Sequence, residues 1–174
     1  LMFMNAFKPF GEIVSDPIAF PKKPTFENIV YVVKKIKYGK LFFNNVLITT
    51  IGIAGIVAFA SLAAYILDRR RNRYTKFIYA LIITPMLIPF QTIMITLLKT
   101  MSVINLSDSR IGLGIQYWGF GIPMATFIFY NFMNTIPREI DESAHMDGAS
   151  TFRTFIAVVF PLMKPVSITV IVLD

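Results

Sequence analysis

Three long apolar stretches without a charged residue dominate the hydrophobic pattern: residues 41–67, 77–98 and 111–136, with 27, 22 and 26 residues. A helix rises about 1.5 Å per residue, so roughly 20 apolar residues cross the hydrocarbon core of a bilayer. A buried helix of a water-soluble protein seldom stays uncharged beyond about 14 residues. The pattern therefore predicts an all-α polytopic membrane helix bundle with three spans in these stretches and the start of another at residue 166.

Composition supports lipid as the surrounding solvent. Hydrophobic residues make up 55% of the chain and charged residues 16%, against roughly 45–50% and 25% in soluble domains. The net charge of +7 comes from basic residues that flank the apolar stretches. Because a nucleic-acid footprint needs basic residues clustered on a polar surface, we expect membrane lipid and no nucleic acid as a partner.

Two absences narrow the chemistry that the chain can carry. It has no cysteine, which excludes disulfides, thiolate zinc sites and cysteine nucleophiles. The three apolar stretches contain no Asp, Glu, Lys, Arg or His. A proton-coupled carrier or a voltage sensor needs such groups at membrane depth, so energy for any transport would have to come from another protein.

Orientation follows from basic residues near the span ends, but here two basic segments point in opposite directions and their count does not settle it. The short loop 68–76 holds five basic residues in nine, and residues 1–40 hold seven lysines. We give the short arginine-rich loop more weight, because density beside a short loop sets topology. This places residues 68–76 and 137–165 in the cytoplasm and residues 1–40 outside, as the end of an earlier span plus an extracytoplasmic segment. We also expect the sequence to be a fragment that lacks material at both ends.

Proline and glycine within the predicted spans indicate bends and close packing. Pro85 and Pro89 in the second span and Pro123 in the third are expected to kink or open their helices, because proline has no N–H to donate. Gly52 and Gly55 in the first span permit a neighbouring helix to approach closely.

Residues 137–165 form the one long mixture of charged and apolar residues between the spans. Pro137 suits the first turn of a helix, and the acidic residues that follow it suit the positive end of the helix dipole. Gly148 can adopt the left-handed conformation that ends a helix, and Asp147 or Ser150 can cap the next one. The pattern predicts two short helices joined by a tight turn.

The second of these helices carries an apolar stripe at helical spacing. The stripe consists of Phe152, Phe155, Ile156, Val159 and Phe160. We expect Pro161 to stop or sharply kink this helix and Pro165 to restrict the start of the next span. A plain solvated linker is the alternative, although a linker rarely combines capping residues, a turn glycine and an apolar stripe.

The string from Glu142 to Ala149, with Phe152 and with Pro161 further on, resembles the EAA motif of the permease subunits of bacterial ATP-binding-cassette (ABC) importers. It is most similar to the carbohydrate-uptake branch, in its maltose-type second permease. Ser143 stands where the motif has its first alanine, an exchange of one small residue for another. The resemblance implies the type I ABC importer permease fold, with residues 137–165 as a cytoplasmic helix–turn–helix coupling loop.

By this resemblance, the helix from about Pro137 to Met146 is a coupling helix that docks into a groove of a cytoplasmic ATPase subunit. The residues implied in docking are Glu142, Ala144, Asp147, Gly148, Ala149, Phe152 and Pro161.

The resemblance further implies a multi-pass protein of the bacterial inner membrane that transports sugars or oligosaccharides. Its implied partners are ABC ATPase subunits, a second permease in a heterodimer and an extracytoplasmic solute-binding protein. ATP is then used by the partner, and this chain binds no cofactor. The chain has no Gly-x-x-x-x-Gly-Lys-[Ser/Thr] loop to hold the phosphates of ATP, so we expect it not to be an enzyme.

Other interpretations stay open or are set aside. Glu142 and His145 have the Glu-x-x-His spacing of di-metal carboxylate sites, but those need two such pairs, and His145 is the only histidine. A non-transporting membrane anchor or assembly protein, and an ABC permease for a non-sugar solute, remain alternatives. Tyr117 and Trp118 can stack on sugar rings or serve as ordinary interface aromatics.

Overall fold

The structure is a computed structural model that describes residues 1–174. All its regular elements are helices, and contacts divide the chain into two compact units, Leu1–Val46 and Leu47–Asp174. The α-helices are α1 (Met2–Asn5), α2 (Phe10–Ser15), α3 (Glu27–Lys35), α4 (Tyr38–Arg69), α5 (Arg73–Ile83), α6 (Phe90–Val103), α7 (Arg110–Met133), α8 (Glu139–Met146), α9 (Thr151–Thr154), α10 (Phe160–Leu162) and α11 (Lys164–Leu173). A 3₁₀-helix covers Thr84–Leu87 and a π-helix covers Phe155–Val159.

The first unit is held together by polar contacts around one lysine. Lys8 is fully buried, and its Nζ donates to the backbone oxygen of Asp16 at 2.8 Å. Asn28, at the start of α3, donates from Nδ2 to the backbone oxygen of Lys8 at 2.6 Å. These bonds satisfy a buried charge and tie α3 to the segment that precedes it.

Helix α4, with 32 residues, is long and apolar enough to cross a bilayer. Two further helix pairs meet the same criteria only if each bent pair is counted as a single span, which gives at most three spans by length and composition. Helix α7 has 24 residues and is not part of that count. The three predicted spans therefore stay predictions.

The second predicted span is not straight. Residues 73–87 and the helix α6 meet at an angle of 102°. Pro85 is the second residue of the 3₁₀-helix, Ile88 is extended with ψ of 119°, and Pro89 occupies the N-cap position of α6. Proline lacks an N–H and disfavours helical geometry in the residue before it, so the two prolines explain the expected bend. Pro123, in contrast, is buried inside a continuous α7.

Helices α4 and α7 pack closely through glycine. A Cβ on Gly55 would overlap the Trp118 ring, and a Cβ on Gly52 would come within 3.2 Å of Tyr117. Trp118 donates from Nε1 to the backbone oxygen of Ile51 at 2.9 Å. The close approach predicted for these two glycines is confirmed. The core consists of buried side chains, and those that are fully buried include Ala60, Ala64, Ala125, Phe129, Met133 and Val159.

Candidate functional site

Helix α8 ends in the tight turn that its sequence predicts. Gly148 has φ of +83°, the left-handed region. Its N–H donates to the His145 carbonyl oxygen at 2.9 Å, and the Ala149 N–H donates to the Ala144 carbonyl oxygen at 3.0 Å. This pair of bonds is the Schellman motif, which satisfies carbonyl groups at the end of a helix.

Ser150 begins the second arm of the turn. Its Oγ accepts a hydrogen bond from the Arg153 N–H at 3.3 Å, so Ser150 rather than Asp147 is the cap. The helical run then continues through α9, the π-helix and α10 to Leu162. The predicted helix–turn–helix is confirmed, and α8, its turn and this run are called the elbow below.

The apolar stripe of the second arm is divided between core and surface, which corrects the expectation of one apolar face. Phe155 and Val159 are buried, whereas Phe152 and Ile156 are 62% and 50% exposed. The π-helix explains the difference, because its hydrogen bonds run to the fifth residue and rotate the side chains away from the 3.6-residue period. The next buried side chain after Val159 is that of Met163, four residues further along the chain.

The bend that was expected at Pro161 lies further along the chain. Pro161 sits at the start of α10, inside the continuous run from Thr151 to Leu162, and a bend of 74° separates that run from α11. Pro165 lies in the first turn of α11, where its missing N–H costs no intrahelical bond. The elbow therefore ends at Met163, immediately before Lys164.

The residues implied in docking form part of one exposed surface. Glu142, Asp147, Gly148, Phe152 and Pro161 are exposed, and Ala144 and Ala149 are half-buried beneath the turn. Met146, which sequence reasoning did not select, is 88% exposed. Two large apolar side chains, Met146 and Phe152, and two carboxylates, Glu142 and Asp147, are thus exposed on α8, its turn and the start of the second arm. These four residues are called the elbow surface.

Asp141 faces the opposite way and is buried. Its Oδ1 accepts a hydrogen bond from the Tyr65 hydroxyl at 2.7 Å. Its Oδ2 accepts from Arg69 Nε at 2.9 Å and lies 2.7 Å from Arg69 Nη2. Tyr65 and Arg69 are one helical turn apart at the end of α4, so both reach the same carboxylate.

A second buried carboxylate organises the arginine-rich loop. Asp68 is 1% exposed, pairs with Arg69 at 2.8 Å and forms a further ion pair with Arg71. Hydrogen bonding to Asp68 and its negative charge raise the pKa of Arg71 above its ordinary value. Arg138, just before α8, donates from Nη2 to the Asp68 backbone oxygen at 2.8 Å. The loop that served as an orientation signal is therefore also part of the packing around the elbow.

His145 lies one helical turn after Asp141 on α8 and is exposed. Its Nδ1 is 2.6 Å from the Asp141 backbone oxygen, and its Nε2 is 3.4 Å from the Thr151 hydroxyl. These contacts join the two arms of the elbow. No group of three or more metal-binding side chains is present.

The fold compares closely with one solved structure. A bacterial ABC transporter involved in the import of the acidic polysaccharide alginate aligns with a TM-score of 0.76 and 23% identity, over 99% of this chain and 60% of that chain. The helical architecture with its elbow is therefore that of a type I ABC importer permease. Residues 56–174 match the family described as binding-protein-dependent transport system inner membrane component, and the chain belongs to this family.

Several curated proteins are similar over nearly the whole chain. A probable starch degradation products transport system permease protein of Thermoanaerobacterium thermosulfurigenes is 33% identical, over 100% of this chain and 63% of that protein. A melibiose/raffinose/stachyose import permease protein of Bacillus subtilis is 31% identical, over 100% and 63%. A diacetylchitobiose uptake system permease protein of Streptomyces coelicolor is 28% identical, over 94% and 54%. The chain thus spans less than two thirds of the length of these relatives.

These comparisons confirm the resemblance to carbohydrate-uptake ABC permeases. The matched family places the chain among membrane proteins.

The buried contacts of Asp141 with Tyr65 and Arg69 were not predicted. Their signal in the sequence is slight, a tyrosine and an arginine four residues apart at the end of a span.

Proposed function

We propose that this chain belongs to the permease subunit of an ATP-driven importer, and that its elbow couples the subunit to a separate cytoplasmic ATPase. The observation that carries the proposal is the elbow surface. Met146 is 88% and Phe152 62% exposed, and the carboxylates Glu142 and Asp147 are exposed within the same short stretch of chain, residues 142–152. Large apolar side chains on a rigid, capped turn favour protein docking, because burying them against a partner releases water from apolar surface.

In the proposed mechanism, ATP closes two ATPase subunits and their grooves carry the elbows with them. The elbow then transmits a rigid-body movement to the spans and exchanges outward for inward access. ATP is bound and hydrolysed by the partner, so this chain acts without a cofactor and is not an enzyme. The other partners are a second permease in a heterodimer and an extracytoplasmic solute-binding protein.

We propose a multi-pass arrangement in the bacterial inner membrane, with the elbow on the cytoplasmic side. Helix α4 provides one span, and the bent pair of residues 73–87 and α6 provides the next. Helix α7 is the third, because its residues from Ile111 to Met133 include no charged side chain. The arginine-rich loop 68–76 is then cytoplasmic beside the elbow, as the positive-inside rule favours.

Sugars or oligosaccharides are the proposed cargo. The relatives are named for starch degradation products, for melibiose, raffinose and stachyose, and for diacetylchitobiose. A cavity of about 290 Å³ between α4 and α7 is lined by Tyr117, Phe120, Thr49 and Asp174, among others. Aromatic rings and a carboxylate suit the apolar faces and hydroxyl groups of sugars. Trp118 is not among the lining residues and serves the packing of α4 against α7 instead.

The test of the docking role is a charge reversal on the elbow surface. We expect Glu142→Lys in the full-length permease to lower the ATP hydrolysis that co-purifies with it by about tenfold, since a charge facing a partner contributes a few kcal/mol at most. Mass spectrometry of the purified complex identifies the P-loop subunit responsible.

Glu139→Lys is the matched control, because Glu139 is an exposed acid on the same helix but outside the motif. It should retain most of the hydrolysis. Equal activity of wild type and Glu142→Lys, with the P-loop subunit present in both, would contradict docking through this surface. A wild-type permease that brings down no P-loop subunit would instead favour the membrane-anchor alternative.

A further inference from the structure

We propose that Asp141 is a positioning residue that fastens the coupling helix α8 to the cytoplasmic end of α4, so that a displacement of α8 is passed to that span. The inference rests on the proposed function of the elbow. It concerns the inner side of α8, and none of the three residues involved belongs to the elbow surface.

The contacts of Asp141 with Tyr65 and Arg69 fix the position of α8 against the end of α4. Both oxygens of the Asp141 carboxylate are used, one by the Tyr65 hydroxyl at 2.7 Å and the other by Arg69 through Nε and Nη2 at 2.9 and 2.7 Å. A carboxylate whose two oxygens are held by two different side chains is fixed in orientation as well as in distance, and hydrogen bonds from a charged guanidinium are among the strong ones. The carboxylate therefore resists both sliding and rotation of α8 against α4.

The partners of Asp141 are themselves held in place. Tyr65 is 2% exposed, and its ring lies 5.1 Å from the ring of Phe155 in the second arm of the elbow. Arg69 is also paired with the buried Asp68 at 2.8 Å. Neither side chain is free to follow α8 alone, so movement of the carboxylate has to move the end of α4.

Asp141 is the only buried residue of α8. Ile140 packs partly against the core, but apolar contacts are non-directional and permit sliding. Apart from the covalent chain, the directional connections of this region to α4 are the Asp141 contacts, the bond from Arg138 to Asp68 and two bonds of 3.4 Å from Arg69 to the Ile136 backbone oxygen. Only the Asp141 contacts start within α8 itself, so a load that a partner applies to the elbow surface reaches α4 largely through this carboxylate.

A purely structural role would lower assembly, and a positioning role would spare assembly but lose the response to ATP. These 174 residues hold no cysteine, so Ile53→Cys gives a single thiol at the cavity lining once any cysteine elsewhere in the full-length permease is replaced by serine. In the full-length permease, assembled with its ATPase, the rate of maleimide labelling of this thiol is measured with and without ATP and vanadate. The same measurement is made in Tyr65→Phe, in Asp141→Asn and in the control Glu139→Gln.

We expect ATP and vanadate to change the labelling rate in the parent and in Glu139→Gln. In Asp141→Asn and Tyr65→Phe the ATPase should still be captured and still hydrolyse ATP, but the change in labelling should be lost. If Asp141→Asn fails to assemble, Tyr65→Phe decides, because it removes a single hydroxyl and keeps the ring. A response in Tyr65→Phe and Asp141→Asn equal to that of the parent would overturn the inference, and so would a loss of capture in Tyr65→Phe. A parent that captures no ATPase would instead count against the proposed function.

Discussion

At the scale of single residues, Gly148 decides the shape of the elbow. Its φ of +83° lies in the left-handed region, and nothing lies within 4 Å of the position that a Cβ would occupy. Crowding is therefore not the reason for a glycine here. The reason is the backbone conformation, which costs an ordinary residue about 1–2 kcal/mol.

Replacement of Gly148 should separate these two causes. We predict that Gly148→Ala weakens capture of the ATPase by several-fold, since roughly 1 kcal/mol of strain changes an equilibrium about fivefold. Gly148→Asn should lose less, because asparagine tolerates the left-handed region better. Affinity of the full-length permease for the ATPase is the measurement. A greater loss in Gly148→Asn than in Gly148→Ala would show that size, and not backbone conformation, matters at this position.

Two adjacent aromatic residues in α7 have different surroundings. Tyr117 lines the cavity, and Trp118 donates to α4 and fills the space over Gly55. We predict that Tyr117→Ala raises the half-saturation concentration for sugar uptake roughly fivefold, as expected from the loss of about 1 kcal/mol of stacking.

The comparison variant is Trp118→Ala, which should lower the thermal stability of the purified permease. Uptake by whole cells and a thermal melt in detergent distinguish the two effects. If Tyr117→Ala lowers stability as much as Trp118→Ala and leaves half-saturation unchanged, the cavity is not the cargo site.

The local features of the elbow could be predicted from the sequence, whereas its attachment could not. Gly148 and Ser150 act within a few residues of themselves, so chain order is enough to assign them. Tyr65 and Asp141 are separated by 76 positions. A sequence pattern carries no information on which distant acid a tyrosine will meet, and Asp141 was interpreted only as a favourable charge at the start of a helix.

At the scale of helices, the close packing of α4 against α7 depends on glycine residues. Gly55 leaves room for the Trp118 ring, whereas Gly119 in α7 faces open space. The two glycines thus offer the same substitution in the same pair of helices with opposite surroundings.

We predict that Gly55→Ala lowers the thermal midpoint of the permease in detergent, because overpacking of this kind costs about 1–3 kcal/mol. Gly119→Ala should leave it unchanged or slightly higher, since alanine is the better helix former. A thermal melt of the purified full-length protein is the measurement. Equal stability of the two variants would mean that α4 and α7 do not keep this separation in the intact subunit.

The length of the apolar stretches was enough to predict that helices are present, but it could not predict where and how far they bend. Prolines marked the bend near Pro85 and Pro89, yet no pattern gave its angle of 102°. The π-helix at Phe155–Val159 was missed because periodicity was judged at 3.6 residues per turn. As a result, Phe155 and Ile156 were placed on one apolar face, whereas Phe155 is buried and Ile156 is exposed.

At the scale of the whole molecule, sidedness is the property on which the proposed function depends. An elbow outside the cell would meet no ATP. These 174 residues contain no cysteine, so single thiols introduced here give a direct test in a full-length permease whose other cysteines, if present, are replaced by serine.

We predict that Met146→Cys, which is 88% exposed on α8, reacts with a membrane-impermeant maleimide only in inside-out vesicles. Ser107→Cys lies in the exposed segment between α6 and α7. It should react in spheroplasts, in which the outer face of the inner membrane is accessible to the reagent. The cysteine-free parent controls for background. Labelling of Met146→Cys from the outer face would reverse the orientation and remove the basis for ATPase docking.

The bend of 74° at Met163 makes the second arm of the elbow and α11 two arms of a lever that share one pivot. Asp174, the residue that follows α11, lies about 15 Å along the helix from the pivot and lines the cavity beside Tyr117. If this stretch of α11 turns as a rigid rod, a rotation of roughly 10° at the pivot displaces Asp174 by about 2.6 Å, which is comparable with helix shifts in known switches. In the proposed orientation, a small tilt on the cytoplasmic side is thus enough to reshape a chamber deeper in the membrane.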